Sequence, residues 1–173
     1  MRQTLLTLFV AQVARRPGAT ALRYRSGGLW RDRSWSEWRG TARALAASLV
    51  GGGVAPGDRV AILSRTRARW VEADLGVLHA GAATVPIYPS LRSDTVGEIL
   101  RDSGARVLLV EDPARLEKLF DPAVGALPRL ERVLVFDRVS RLQRPDEAGR
   151  LDVTVDEVLP AAPAFSVEAF DAA

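Results

Sequence analysis

The chain has 173 residues, 47% of them apolar, no cysteine and a formal net charge of +3. That length supports one domain, or part of a larger one, with a sizeable core, and zero cysteines exclude disulfides and thiolate metal sites and suit the cytoplasm. Of the 24 basic residues only Lys118 is lysine. The isoelectric point of about 10.1 is thus a product of arginine-rich composition; the arginines are interleaved with acids, and no nucleic-acid partner is expected.

The N-terminal run MRQTLLTLFVAQVARRPG lacks a small-residue cleavage site where Gln12, Arg15 and Arg16 stand, so it reads as an amphipathic helix, not a signal peptide. Leu5, Leu6, Phe9, Val10 and Val13 share one face of that helix, from about Thr4 to Arg15, and Pro17-Gly18 stops it. Residues 21–24 and 29–33 flank Ser26-Gly27-Gly28 and predict a β-hairpin. Ser34 with Glu37 forms a capping box for a helix placing Trp38, Ala42, Leu45, Ala46 and Leu49 on one face and ending at Gly51-Gly52-Gly53.

After the Pro56-Gly57-Asp58 turn, residues 60–63 form an apolar strand and residues 68–80 a helix closed by Gly81. Residues 84–87 contain Pro86, which lacks a ladder donor, so this run is a strand start, an edge or an irregular crossover. Ser93 is expected to cap a helix with Val96, Ile99 and Leu100, closed by Gly104. Strand 107–110 precedes Asp112-Pro113, a cap and N1 proline for a short helix through Leu119. Residues 133–136 form the last clear strand, and Thr154 with Glu157 reads as a small capping box. No run reaches 18 apolar residues, so no membrane span is expected.

Apolar strands alternating with helices predict an α/β fold: a partial doubly wound, mainly parallel sheet with helices on both faces, preceded by the N-terminal helix and hairpin. Residues 1–138 carry 21 basic and 14 acidic side chains and residues 139–173 carry 3 and 7. The shift places the α/β body at 1–138 and a polar, weakly structured tail at 139–173.

The chemistry-bearing residues are few. The only glycine cluster, Gly51-Gly52-Gly53, follows a helix and precedes a strand, the reverse of a phosphate cradle. His79, the sole histidine, sits at a helix end and reads as packing. Trp30, Trp35, Trp38 and Trp70 read as hairpin and helix core residues, not a stacking platform. Arg65, Arg67 and Arg69 follow a parallel strand, where α/β sheets bind ligands, and read as a solvated loop with phosphate holding as the alternative. Glu111-Asp112 reads as a cap and its neighbour. No catalytic residue and no metal ligand is assigned.

Four segments in order resemble adenylate-forming (AMP-binding) enzymes of the long-chain fatty acid–CoA ligase branch: residues 33–38, RSWSEW; 57–63, GDRVAIL; 80–90, AGAATVPIYPS; and 102–107, DSGARV. Order and spacing agree from about residue 5 to 160. The resemblance implies ATP-dependent conversion of a fatty acid to an acyl-adenylate and then to acyl-CoA, with ATP, Mg and coenzyme A as the family's cofactors. It implies that Tyr88, Pro89 and Ser90 form a loop near the CoA nucleotide. The family's Ser/Thr/Gly-rich phosphate loop, ribose-binding aspartate, hinge and catalytic lysine are not in these 173 residues, which resemble roughly the first third of such an enzyme. The expectation is a fragment inactive alone. The alternatives are a stand-alone CoA- or nucleotide-binding module and a non-catalytic partner of a full-length synthetase. Because strands 60–63, 107–110 and 133–136 need cover on both faces, an exposed patch and self-association, or pairing with a larger synthetase, are expected unless the helices close the sheet unaided. The expected location is the cytoplasm, with peripheral attachment to a membrane as a variant.

Overall fold

The computed structural model describes residues 3–136 and 154–157. Helix α1 (Leu5–Arg15) leads into the antiparallel hairpin of β1 (Thr20–Ser26) and β2 (Leu29–Ser34). Then follow α2 (Trp35–Gly51), β3 (Arg59–Leu63), α3 (Ala68–His79), β4 (Ala83–Ile87), α4 (Ser93–Ser103), β5 (Val107–Val110), α5 (Pro113–Leu116), β6 (Arg132–Val135) and β7 (Thr154–Glu157). Strands β3 to β7 make one parallel sheet in the order β4-β3-β5-β6-β7. The order reverses between β3 and β5, the topological switch point of a doubly wound sheet.

Alternation along the central strands builds two cores. Val60, Ile62, Val107, Leu109 and Leu134 face Leu45, Ala46 and Leu49 of α2 and Ala73 and Val77 of α3. Ala61, Leu63, Leu108, Val110, Val133 and Val135 face Val96 and Leu100 of α4, Leu116 of α5 and Leu119. Each fully buried Val, Leu or Ile contributes about 1.5–3 kcal/mol. Helix α1 does not cover the sheet. It lies outside α2 and α3, where Phe9 and Val13 meet Ala42, Leu75, Trp35 and Trp38. The chain's own helices therefore cover β3, β5 and β6 on both faces, and the apolar sheet patch expected from the sequence is absent among the described residues.

Local signals set most boundaries. Ser34 donates its backbone N–H to Glu37 Oε2 at 2.7 Å while Glu37 N donates to Ser34 Oγ at 3.2 Å. A second reciprocal box joins Thr4 and Thr7 at the start of α1. Pro86 lies in β4, the edge strand. Ala83 donates its N–H toward β3, to Asp58 O at 2.8 Å. The two-residue period turns Ala83, Val85 and Ile87 to β3 and leaves Pro86 facing outward, so its missing donor blunts the free edge.

Three expectations change. Helix α4 begins with Arg92, not Ser93, at the cap position, and Asp94 Oδ1 accepts the Thr95 N–H instead. Residues 154–157 are not a capping box; they form β7, paired with β6 through Val133↔Val155, because a β-branched pair beside an open strand finds ladder bonds that outweigh a local cap. The last strand is thus β7. The rest of the tail expected at 139–173 lies outside the described residues.

Glycines mark the closest approaches. Gly81 has φ +73°, and a Cβ there would also press on Pro56. Gly97 in α4 has ordinary helical geometry, but a Cβ would overlap the Val124 carbonyl. Gly40 in α2 has open space. Gly97→Ala should destabilise by about 2 kcal/mol or more, and Gly81→Val by about 1 kcal/mol or more. Gly40→Ala should be neutral or stabilising by up to about 1 kcal/mol. Thermal melts of the three variants check this ranking.

Candidate functional site at the carboxyl edge of the sheet

Strands β3 and β5 end side by side, with Leu63 opposite Val110. The residue after each strand decides what stands in the crevice outside the switch point. After β5 comes Glu111, fully buried, whose N–H donates to Leu63 O at 3.0 Å. Its carboxylate receives the Arg65 backbone N–H at 2.9 Å and Arg65 Nε and Nη2 at 2.9 and 2.7 Å. Arg115 Nε lies 3.2 Å from Oε2 and Arg67 Nη1 3.5 Å from Oε1. Burial alone would raise this carboxyl, but the Arg65 hydrogen bonds and the Arg115 charge outweigh it and hold Glu111 below the usual carboxylate range. Arg65 and Thr66 are exposed, as a solvated loop requires, and the loop is at the same time an anchored turn. Arg65 and Arg67 are committed to a buried carboxylate, not held open for phosphate.

Glu72 is the opposite case. It is buried in α3, with Arg33 Nε 3.1 Å from Oε1 and Arg69 Nη1 3.5 Å from Oε2. Neither oxygen has a hydrogen-bond partner among the described residues. Burial dominates and pushes this carboxyl up, against the opposing charges of Arg33, Arg69 and Arg67. Arg33 also reaches Tyr24 Oη at 3.3 Å, so this ion pair fastens the hairpin to α3.

The Tyr88-Pro89-Ser90 loop leaves β4 at the same carboxyl edge, since Ile87 lies opposite Leu63. Tyr88 is 76% exposed. Lys118 Nζ donates to the Pro89 and Leu91 carbonyls, both at 2.7 Å, and pins the loop to the turn after α5. The structure thus brings the loop, Arg65, Arg67 and Glu111 to one edge. His79 stays away from it: Nδ1 meets Leu75 O at 2.7 Å and the ring packs edge-on to Phe9. Gly51-Gly52-Gly53 closes α2, with Gly53 at φ +87° and its carbonyl bonded by Arg106. Trp35 and Trp38 pack around Phe9 and Trp70 packs on the α2–α3 core. Trp30 does not join them; the far half of the hairpin has no body behind it, and Trp30 is 69% exposed. Glu72 escaped the sequence reading, and Glu111 was read only as the neighbour of a cap. The available signal for Glu111 was a charge placed directly after an apolar strand at a switch point.

The two buried glutamates predict opposite outcomes. A depressed Glu111 stabilises above its unfolded value of about 4.3, and that contribution is lost as pH falls through its lower folded value. A raised Glu72 costs stability at neutral pH, and the cost disappears as pH falls through its higher folded value. Glu111→Gln should therefore lower stability at pH 7 by about 2 kcal/mol. Glu72→Gln should match or exceed the parent at pH 8 and lose its advantage in acid. Melts over a pH series check both signs.

Comparison with known proteins bears on the edge as a whole. The sequence pattern of the family described as AMP-binding enzyme matches residues 9–167. Over 124 residues the chain is 37% identical to the long-chain-fatty-acid–CoA ligase FadD15 of Mycobacterium bovis, covering 70% of this chain and 20% of that protein. It is 37% identical over 110 residues to surfactin synthase subunit 2 of Bacillus subtilis, covering 64% of this chain and 3% of that one. The crystal structure of the anthranilate CoA ligase AuaEII in complex with anthranoyl-AMP superposes with a TM-score of 0.69 at 29% identity, covering 76% of this chain and 24% of that chain. The matched residues thus span about a fifth of the length of FadD15. With the family pattern running through nearly all of it, on the matching parallel sheet, the chain belongs to the AMP-binding enzyme family.

Proposed function

We propose that these residues form the N-terminal part of an ATP-dependent long-chain fatty acid–CoA ligase of the cytoplasm, with fatty acid and coenzyme A as substrates of the whole enzyme. The observation that carries the reading is the 37% identity to a long-chain-fatty-acid–CoA ligase across 70% of the chain. In this reading residues 1–138 are the α/β body, and Tyr88, Pro89 and Ser90 form its CoA-facing loop. An exposed Tyr88 on a loop held through its carbonyls suits contact with a ligand outside the sheet edge.

The described residues do not fit the triphosphate or its Mg ion. The one lysine is spent on loop carbonyls, the one glycine cluster closes a helix, and Arg65 and Arg67 face Glu111. Preorganised donors aimed at the phosphates carry most of adenylation chemistry, so that step belongs to residues other than these. A second reading, a stand-alone CoA-binding module or a partner of a full-length synthetase, is favoured by one observation: the sheet is covered on both faces by this chain's own helices.

Fatty-acid-dependent exchange of pyrophosphate into ATP by the purified chain should stay at the no-enzyme level. Clear exchange would refute the assignment of adenylation to other residues. Titration calorimetry with coenzyme A separates the readings, since binding by the isolated chain supports the module.

A further inference from the structure

Seven large apolar side chains are exposed among the described residues, and five precede residue 31: Leu5, Leu8 and Val10 on α1, and Leu29 and Trp30 beside the hairpin turn. The first acidic residue of the sequence is Asp32, and residues 1–31 hold six arginines. One short stretch thus combines most of the exposed apolar surface with an unbalanced positive charge. Elsewhere the arginines are interleaved with acids.

The hairpin is shaped for contact. Gly27 and Gly28, at φ +59° and +78°, make a tight two-residue turn whose twist matches the strands. The register pairs Arg23 with Asp32, Tyr24 with Arg31 and Arg25 with Trp30. Tyr24 and Arg33 share the face tied to α3 through Glu72, so Trp30 stands on the opposite face with Arg23, Arg25 and Asp32. Arg23 is taken by Asp32 at 2.6 Å. Arg25 and Arg31 have no acidic partner among the described residues.

We infer that this hairpin tip docks the protein on an anionic lipid surface. Trp30 enters the headgroup boundary, where an indole is favoured, with Arg25 beside it on a lipid phosphate, while Leu29 and Arg31, on the face shared with Tyr24, flank the tip from its other side. The charge selects anionic over neutral lipid. A single-stranded nucleic acid is disfavoured because a convex tip with leucine beside one tryptophan offers neither a groove nor successive stacking platforms. The docking requires no catalysis and stands separately from the ligase reading.

The test is cosedimentation of the whole chain with vesicles of phosphatidylcholine alone or with roughly 30% phosphatidylglycerol. Binding should be about tenfold or more tighter to the anionic vesicles and should weaken at about 0.5 M salt. Leu29→Ser with Trp30→Ser should weaken it about tenfold or more. Arg25→Gln with Arg31→Gln should also weaken it. Quenching by brominated lipid guards against a folding artefact: it should appear in the parent and fall sharply in Trp30→Phe. Equal binding to both vesicles, no binding, unchanged binding by the Leu29/Trp30 variant, or an oligonucleotide bound in preference to anionic vesicles would each overturn the inference.

Discussion

Strands β3 and β5 are buried on both faces, and that constraint organises the rest. A strand with no polar face requires a helix layer on each side. The layers come from α2 and α3 below Val60, Ile62, Val107 and Leu109, and from α4 and α5 above Ala61, Leu63, Leu108 and Val110. Close packing of those layers explains where small residues are required. Gly76 of α3 leaves room for Leu45 of α2, and Gly97 lets α4 approach the backbone at Val124. The hairpin and α1 are secondary additions, attached to the α2–α3 layer through Phe9, the tryptophans and the Arg33–Glu72 pair.

The buried glutamates show how charge is treated in such a body. Glu111 is buried but satisfied, with three donors from one arginine and two further guanidiniums within 3.5 Å. It fixes the turn after β3 against the start of α5. Glu72 is buried with ion pairs but without hydrogen bonds, the arrangement in which desolvation outweighs attraction. The hairpin is thus held by a contact whose charge opposes its burial, whereas the sheet edge is held by one whose charge is compensated. A rigid edge and a less securely fastened hairpin suit the separate roles proposed for them, ligand contact at Tyr88 and lipid contact at Trp30.

Most of the fold was legible because its signals are local. Ser34 with Glu37, Asp112 with Pro113, Gly81 and Gly104 each encode a boundary within four residues, and Pro86 limited its run to a strand start, an edge or an irregular crossover, of which the structure shows the edge. What failed was decided at a distance. The pairing of β7 with β6 spans about twenty residues, so Thr154 and Glu157 looked like a cap. Trp30 looked like core because spacing cannot show that half a hairpin has nothing behind it. Glu111 looked like the neighbour of a cap because its partner Arg65 lies far away in sequence. The family resemblance located the Tyr88–Ser90 loop, but its tether to Lys118 is a tertiary contact with no sequence signature.

The sheet is closed on both faces by residues of this chain. Native-state amide hydrogen exchange measures that most directly. The amides of β3 and β5 at residues 60–63 and 107–110 should be the slowest in the molecule and should exchange only through global unfolding, with the same denaturant dependence as the cooperative transition. Exchange of those strands within minutes, on a scale shared with the hairpin tip, would contradict it, because it would mean that the helices present do not close the core.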